Sequence, residues 1–192
     1  MLIVMVWVLW AVVVALVIAV WALARQVGVL VERISPMGTV DAGPKVGSAA
    51  PRFDLTTLAG AGYVLGGASA RSTLLFFLSP TCPACKRLLP VLRSLRAAES
   101  DWLEVVLASD GEVGQHQRFV ATHDLAQLPY LLSTDLGMTF RVSRLPFAVL
   151  IGEDGIIKAK GLVNNREQLE SLFSAKELGV SSVQQYLGAN RA

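Results

Sequence analysis

Residues 73–94 read TLLFFLSPTCPACKRLLPVLRS. Thr73–Leu78 is a short apolar run of the length expected for a strand buried on both faces. Ser79-Pro80-Thr81 breaks it as a turn. Beyond the two cysteines, Leu88, Leu89, Leu92 and Leu95 recur at helical spacing, which predicts a helix over Lys86–Ala98. Strand, turn, Cys82, two residues, Cys85 and helix therefore follow one another directly. A bare CxxC is a weak signal; in this setting it is a fairly strong one for redox chemistry.

The setting supplies the reason. A cysteine at a helix N-terminus meets the positive end of the helix dipole and free backbone N–H groups, and both favour thiolate over thiol. Pro83 suits the first helical turn, where its missing N–H costs nothing. Cys82 reads as the exposed attacking thiolate and Cys85 as the more buried resolving thiol one turn on. Attack on a partner's disulfide gives a mixed disulfide at Cys82, and Cys85 then displaces the partner. Lys86 and Arg87 add positive charge nearby. No cofactor is expected beyond the Cys82–Cys85 disulfide itself.

Three other readings of the pair compete. A structural zinc site needs four ligands, and the chain has two cysteines and two histidines, at distances that fit no common pattern, so no metal is expected. Haem attachment wants His directly after the second cysteine, where Lys86 stands. Two inert core cysteines at a helix start form the third reading. His116 and His123 lie seven apart on a polar helix and read as solvated surface residues.

Working outward, Leu103–Ala108 reads as a second buried strand and Glu112–His123 as a second helix. Phe147–Ile151 and Ile156–Lys160 flank Asp154-Gly155, a hairpin turn signal. Arg166–Phe173 reads as a closing amphipathic helix. Upstream, Phe53–Leu58 and Tyr63–Leu65 form a small extended unit around Gly60 and Gly62. Strands alternating with helices and ending in a hairpin imply an α/β domain, a central mixed β-sheet covered by helices.

The N-terminus is different. The chain has 192 residues, 53 % of them apolar, and Met1–Ala24 contains nothing else. Without these 24 the remainder is about 46 % apolar, an ordinary globular value. Disorder, collagen-like repeats and a multi-span membrane protein are excluded. As a helix, 24 residues reach about 36 Å, more than the ~30 Å hydrocarbon core. Ala22-Leu23-Ala24 resembles a signal-peptide cleavage site, but the run far exceeds a signal core and no Lys or Arg precedes it. Residues 1–24 are therefore expected to be a transmembrane helix in contact with lipid. Residues 25–45 form a juxtamembrane helix and Pro/Gly-punctuated linker, 46–176 the domain and 177–192 a tail. All 17 Lys/Arg and 15 Asp/Glu follow the apolar run, for a net charge of +2. Without a basic run, nucleic-acid binding has no support. Arg25 and Arg33 follow the span and by the positive-inside rule would keep the domain cytoplasmic, a rule that weakens before a long domain.

Taken together, the sequence resembles the thioredoxin superfamily over roughly residues 46–175. Pro90, eight positions after Cys82, matches the helix-kinking proline of that fold. Leu145-Pro146-Phe147 matches its cis-proline segment, which lies against the CxxC. The resemblance implies that Pro146 and Leu145, with Thr81 and Pro83 beside the cysteines, contact an extended substrate segment. More specifically, RQVGVLVERISPMG (25–38), GPKVG (43–47), residues 73–94, VVLASDG (105–111), LPFAVLIGEDG (145–155) and GLVNNREQLESLF (161–173) resemble the MauD family of methylamine utilisation proteins. That resemblance implies a single-pass, periplasmic inner-membrane thiol–disulfide oxidoreductase, a reductase or isomerase. Its client would be the methylamine dehydrogenase small subunit, and a further redox partner would recharge the cysteines. A general anchored thiol reductase for cytochrome c or copper-centre assembly, and a non-enzymatic metal carrier, are the alternatives.

Two departures stand out. The buried Asp that thioredoxins carry six residues before the first cysteine is Phe76 here, so deprotonation of Cys85 must use water or another group. The Trp commonly preceding the CxxC is Thr81. Peroxiredoxin chemistry is disfavoured, since its Pro-x-x-x-Thr-x-x-Cys pattern meets Leu75 and Ser79.

Overall fold

The computed structural model describes residues 43–178 and, near the N-terminus, residues 1, 5–7, 9, 10, 13, 14 and 16. The chain divides into two units, Met1–Gly38 and Thr39–Ala192. In the first, the described positions from Met5 to Leu16 are helical. Among the described residues no helix is long and apolar enough to cross a membrane. Most of the expected span, the juxtamembrane helix, the linker up to residue 42 and the tail from residue 179 lie outside the described residues.

The second unit opens with a hairpin, β1 (Phe53–Thr56) against β2 (Gly62–Leu65), antiparallel with Phe53 opposite Leu65. The main sheet has five strands in the order β5-β4-β3-β6-β7. These are β3 (Ser72–Phe77), β4 (Leu103–Ser109), β5 (Tyr130–Leu132), β6 (Phe147–Ile151) and β7 (Ile157–Leu162). β3, β4 and β5 run parallel, while β6 and β7 are antiparallel additions on the other side of β3. Parallel neighbours need crossovers. Helix α1 (Pro83–Ala98) joins β3 to β4, and α2 (Val113–Thr122) joins β4 to β5. Both steps move the same way along the sheet, so right-handed crossovers place both helices on one face. Leu89 and Leu92 of α1 and Phe119 of α2 accordingly share one core cluster.

The period-2 alternation of β3 divides the core. Leu74, Phe76 and Leu78 face α1, α2 and the final helix α4 (Arg166–Leu178), which adds Leu169 and Leu172. Leu75 and Phe77 face the opposite cluster with Leu65 of the hairpin and with Leu136 and Phe140 around α3 (Thr134–Thr139). Every residue of β3 is buried, and its continuous apolar run Leu74–Phe77 is of the kind a strand covered on both faces carries.

The mixed sheet covered by helices is therefore present, with differences in detail. Helix α1 begins at Pro83 rather than Lys86, and α4 continues to Leu178 rather than Phe173. β5 and α3 were not expected. Three and six residues long, they fall below the length at which periodicity speaks. The local signal for α3 is its cap: Ser133 Oγ accepts the N–H of Leu136 at 3.2 Å.

Candidate redox site

Buried β3 delivers the chain to the site. The N–H of Leu78 still donates to the carbonyl of Ala108 at 3.0 Å, extending the β3–β4 pairing by one residue. The turn then closes on itself. Cys82 N–H donates to Ser79 O at 3.1 Å, Thr81 N–H to Ser79 Oγ at 3.3 Å, and the Ser79 and Thr81 hydroxyls lie 2.9 Å apart.

Cys82 is the N-cap of α1, with extended backbone at φ −81° and ψ 112°. Its sulfur does what a serine or aspartate oxygen does at most caps: Sγ accepts the backbone N–H of Cys85 at 3.3 Å. Pro83 fills the first helical position, where no N–H is missed. Pro90 lies within the helix. One turn separates the two sulfurs in environment as well as in sequence. Cys82 is partly exposed, whereas Cys85 is 0 % exposed. The two sulfurs are not bonded to each other in this structure. Burial, then the hydrogen bond with Cys82, pushes the Cys85 thiol up to about 12. The reachable sulfur is the one that can attack; the buried one is held as a thiol until something takes its proton.

The other expected contact residues arrive through sheet register. Phe147, first in β6, pairs with Phe77, last in β3. Leu145-Pro146 before β6 and Ser79–Cys82 after β3 therefore leave the sheet at the same end. The Leu145–Pro146 peptide bond is cis. Pro146 is buried and its carbonyl accepts the N–H of Val163 at 3.1 Å. Leu145, Thr81 and Pro83 are exposed.

His116 corrects the sequence reading. It is 1 % exposed, not a solvated surface residue. It satisfies both ring nitrogens internally, Nδ1 with the Tyr130 hydroxyl at 2.8 Å and Nε2 with the carbonyl of Asp110 at 2.9 Å. His123 is half-buried with its ring centroid 4.7 Å from that of Phe119. The spacing His116, Phe119, Val120, His123 is itself an inward stripe, which counting α2 as polar concealed. Among the described residues no three His, Cys, Asp or Glu side chains converge as metal ligands.

Residues 46–166 match the AhpC/TSA family. Over 187 residues the chain is 46 % identical to the methylamine utilization protein MauD of Methylorubrum extorquens, covering 95 % of this chain and 90 % of that one. It is 43 % identical to MauD of Paracoccus denitrificans, over 95 % and 92 %. The chain belongs to the AhpC/TSA family and, within it, to the MauD proteins. Solved structures agree on the fold. A secreted disulfide oxidoreductase of Mycobacterium tuberculosis is 28 % identical with a TM-score of 0.52, covering 64 % of this chain and 95 % of that one. StoA of Bacillus subtilis superposes with a TM-score of 0.55 at 24 % identity, covering 68 % and 99 %. The chain is a thioredoxin-like thiol–disulfide oxidoreductase, and Cys82 and Cys85 form its CxxC motif.

Proposed function

We propose that this chain is a membrane-tethered thiol–disulfide oxidoreductase of methylamine utilisation, acting on the disulfides of the methylamine dehydrogenase small subunit as that subunit matures. The carrying observation is the asymmetric cysteine pair, reachable Cys82 and buried Cys85, in a chain so similar to the MauD proteins. The redox group is the Cys82–Cys85 pair itself. The Cys82 thiolate attacks one sulfur of a client disulfide, the client's S–S bond breaks, and its other sulfur leaves as thiolate and takes a proton. Cys85 then attacks Cys82 Sγ, closing the intramolecular disulfide and releasing the client as a second thiol. The client gains two electrons and this chain loses two, which a separate redox partner restores; run backwards, the same steps oxidise a client dithiol.

Thr81 and Pro83 flank Cys82 in sequence, and Leu145 and Pro146 precede β6 at the end of the sheet where β3 finishes; in this reading the four hold an extended client segment against Cys82. The apolar run of residues 1–24 acts as a single span in the inner membrane, with the domain on the periplasmic side. That placement suits a disulfide client, because disulfides persist in oxidising compartments. A reporter fused after the C-terminus tests the orientation: activity of a periplasm-dependent reporter supports it, and activity of a cytoplasm-dependent one overturns it.

Cys85→Ser, expressed in cells growing on methylamine, tests the client. With the resolving thiol gone, the Cys82 mixed disulfide accumulates. Capture of the dehydrogenase small subunit is the expected result. Capture of cytochrome c or copper-centre assembly proteins in its place would show a general anchored reductase and sink the specific assignment.

A further inference from the structure

The Leu78 carbonyl accepts the Ser109 hydroxyl at 2.8 Å, and the Ser109 carbonyl accepts the Ser133 N–H at 2.9 Å. These bonds tie the ends of β3 and β4 to the cap of α3. The residues that follow, Ser79, Asp110 and Thr134, therefore all leave at that end of the sheet. An open groove of about 490 Å³ lies there, with Asp110, Met138, Arg141, Val142 and Ser143 in its lining. The backbone is held at Asp110, whose carbonyl accepts from buried His116 at 2.9 Å. At the other side Ser143 continues through Arg144 and Leu145 into cis-Pro146. The groove is thus continuous in chain with both segments that serve the cysteines, the turn after β3 and the approach to β6.

An arginine stands in this groove where the backbone suits glycine. Helix α3 ends with Arg141 N–H on the Met138 carbonyl at 3.1 Å and Val142 N–H on the Gly137 carbonyl at 2.9 Å. That pair of bonds closes a helix through one left-handed residue, and Arg141 is that residue, at φ +49°. Glycine adopts this conformation freely, whereas a Cβ crowds the backbone. Among the described residues the other non-glycine at positive φ is Asp124, a short polar type that tolerates it. A long charged side chain kept in a disfavoured conformation beside a groove points to a use for that side chain.

Its charge is also free. Arg52, Arg71, Arg93, Lys158 and Arg166 each pair with a carboxylate. Among the described side chains, Lys45, Lys86, Arg87, Arg141 and Arg144 have neither an ion pair nor a hydrogen bond. Four of these five lie on the first turns of α1, just past Cys82, or on residues 141–144, and all four are exposed. The acids at this end are Asp110, Glu112 and Asp135, on the turn after β4 and the first turn of α3. Asp110 lines the groove with Arg141 yet forms no ion pair with it. The charges nearest in sequence to Cys82 and Pro146 are Lys86, Arg87 and Arg144, all positive.

We propose that the groove and the segment leading from it to Pro146 are a subsite that selects clients by charge, in which Arg141 and Arg144 hold carboxylate side chains next to the client's disulfide. The occupant is an extended acidic polypeptide segment. Guanidinium forks match carboxylates. Met138, 69 % exposed, and half-buried Val142 offer the aliphatic stem of a client glutamate an apolar surface. This selection rests on the thiol–disulfide chemistry of Cys82 and Cys85 and not on which acidic protein is the client.

The test uses the full-length chain, reduced, in detergent. Ellman's reagent, a small disulfide, first isolates the chemistry: one thionitrobenzoate anion leaves as Cys82 attacks, and a second as Cys85 attacks the mixed disulfide. No first phase at all would contradict the thiol–disulfide reading itself. Three short peptides are then compared, each with one cysteine joined through its sulfur to neutral thiopyridine and flanked on both sides by Glu, Gln or Lys. Cys82 attacks the peptide sulfur, the bond to thiopyridine breaks, and the released thiopyridone is followed by its absorbance. At low salt the Glu peptide should react at least about fivefold faster than the Lys peptide, the scale of one or two exposed ion pairs. The gap should narrow as salt rises. In the double variant Arg141→Glu with Arg144→Glu the order should reverse. Each comparison is a ratio within one protein, so a general loss of activity cancels. Equal rates for the three peptides in the unaltered chain, or a Glu preference that survives in the double variant, overturns the subsite. A preference lost only in Lys86→Glu with Arg87→Glu moves the selection to α1 and overturns it too. Arg141→Gly decides where the double variant fails to fold. Glycine suits the left-handed position, so the denaturation midpoint should hold or rise while the Glu-over-Lys ratio falls. A lower midpoint with an unchanged ratio would make Arg141 structural and sink the subsite.

Discussion

A thiol that water cannot touch is costly to ionise, and Cys85 is such a thiol. The sign of the effect on stability is definite. Its pKa rises from an ordinary value of 9.0 in the unfolded chain to about 12 in the fold, so the folded state binds the proton more tightly. That contribution is complete below pH 9 and is lost as pH rises from there toward 12. The reduced chain should therefore lose stability from about pH 9 toward pH 12 faster than the Cys82–Cys85 disulfide form, in which no thiol remains to ionise. Tyr63 and Tyr130 are also raised, Tyr63 by burial and then by the charge of Glu104, but both are present in both forms. The difference between denaturation midpoints of the two forms, followed against pH, isolates the cysteines; parallel curves would refute the buried-thiol account. At this scale the cysteine pair was legible in the sequence, because Cys82, Pro83 and Cys85 act through one local helix start. The Tyr130–His116 bond was not. It joins residues 14 apart on two elements, one of them a three-residue strand that no periodicity announces.

Elements place those residues, and two of them offer sharp tests. Helix α1 is held to the sheet by Leu88, Leu89, Leu92 and Leu95. Leu92 is 0 % exposed, so Leu92→Ala should cost about 2–5 kcal/mol in urea-induced unfolding; a loss under about 1 kcal/mol would mean that α1 does not pack as described. The β6–β7 turn depends on glycine. Gly155 sits at φ +76°, and a Cβ there would meet the carbonyl carbon of Gly67 at 2.7 Å and its oxygen at 2.8 Å. Gly60 has a similar φ of +86° but open space around it. Gly155→Ala should thus cost more than the ~1–2 kcal/mol of left-handed backbone alone, and Gly60→Ala about that amount. Equal losses in the two variants would deny the contact with Gly67. The same turn shows why the hairpin was readable beforehand: Asp154 Oδ1 accepts the Ile156 N–H at 3.1 Å, so the turn chemistry is written in adjacent residues. β5 and α3 lack any such local statement. β5 exists because β4 offers it an edge, Leu107 to Tyr130, and that edge is a property of the folded sheet.

For the whole molecule, the question is where the redox domain begins. The Pro/Gly punctuation and the family resemblance lead to an expected start near residue 46, and the described hydrogen bonds begin just before it. Gly47 N–H donates to the carbonyl of Ile157 at 2.8 Å, Ala50 N–H to that of Gly155 at 2.9 Å, and Lys160 Nζ to that of Pro44 at 2.9 Å. Residues 44–50 are thus sewn onto β7 and its turn, whereas nothing in the apolar composition of residues 1–24 suits them to a water-exposed fold. A chain starting at residue 43 should keep both phases of Ellman's reaction and unfold at nearly the temperature of the full chain. A chain starting at residue 53 gives up those three bonds and with them part of the cover over β7, and should melt several degrees lower. Only the full chain should sediment with membranes and need detergent to leave them. If the chain from residue 43 still sediments with membranes, or the full chain stays in solution without detergent, the first 24 residues are not the anchor. The redox chemistry of Cys82 and Cys85 would stand in either case, because the helix start, the turn and the buried surroundings that shape it among the described residues lie within residues 43–178.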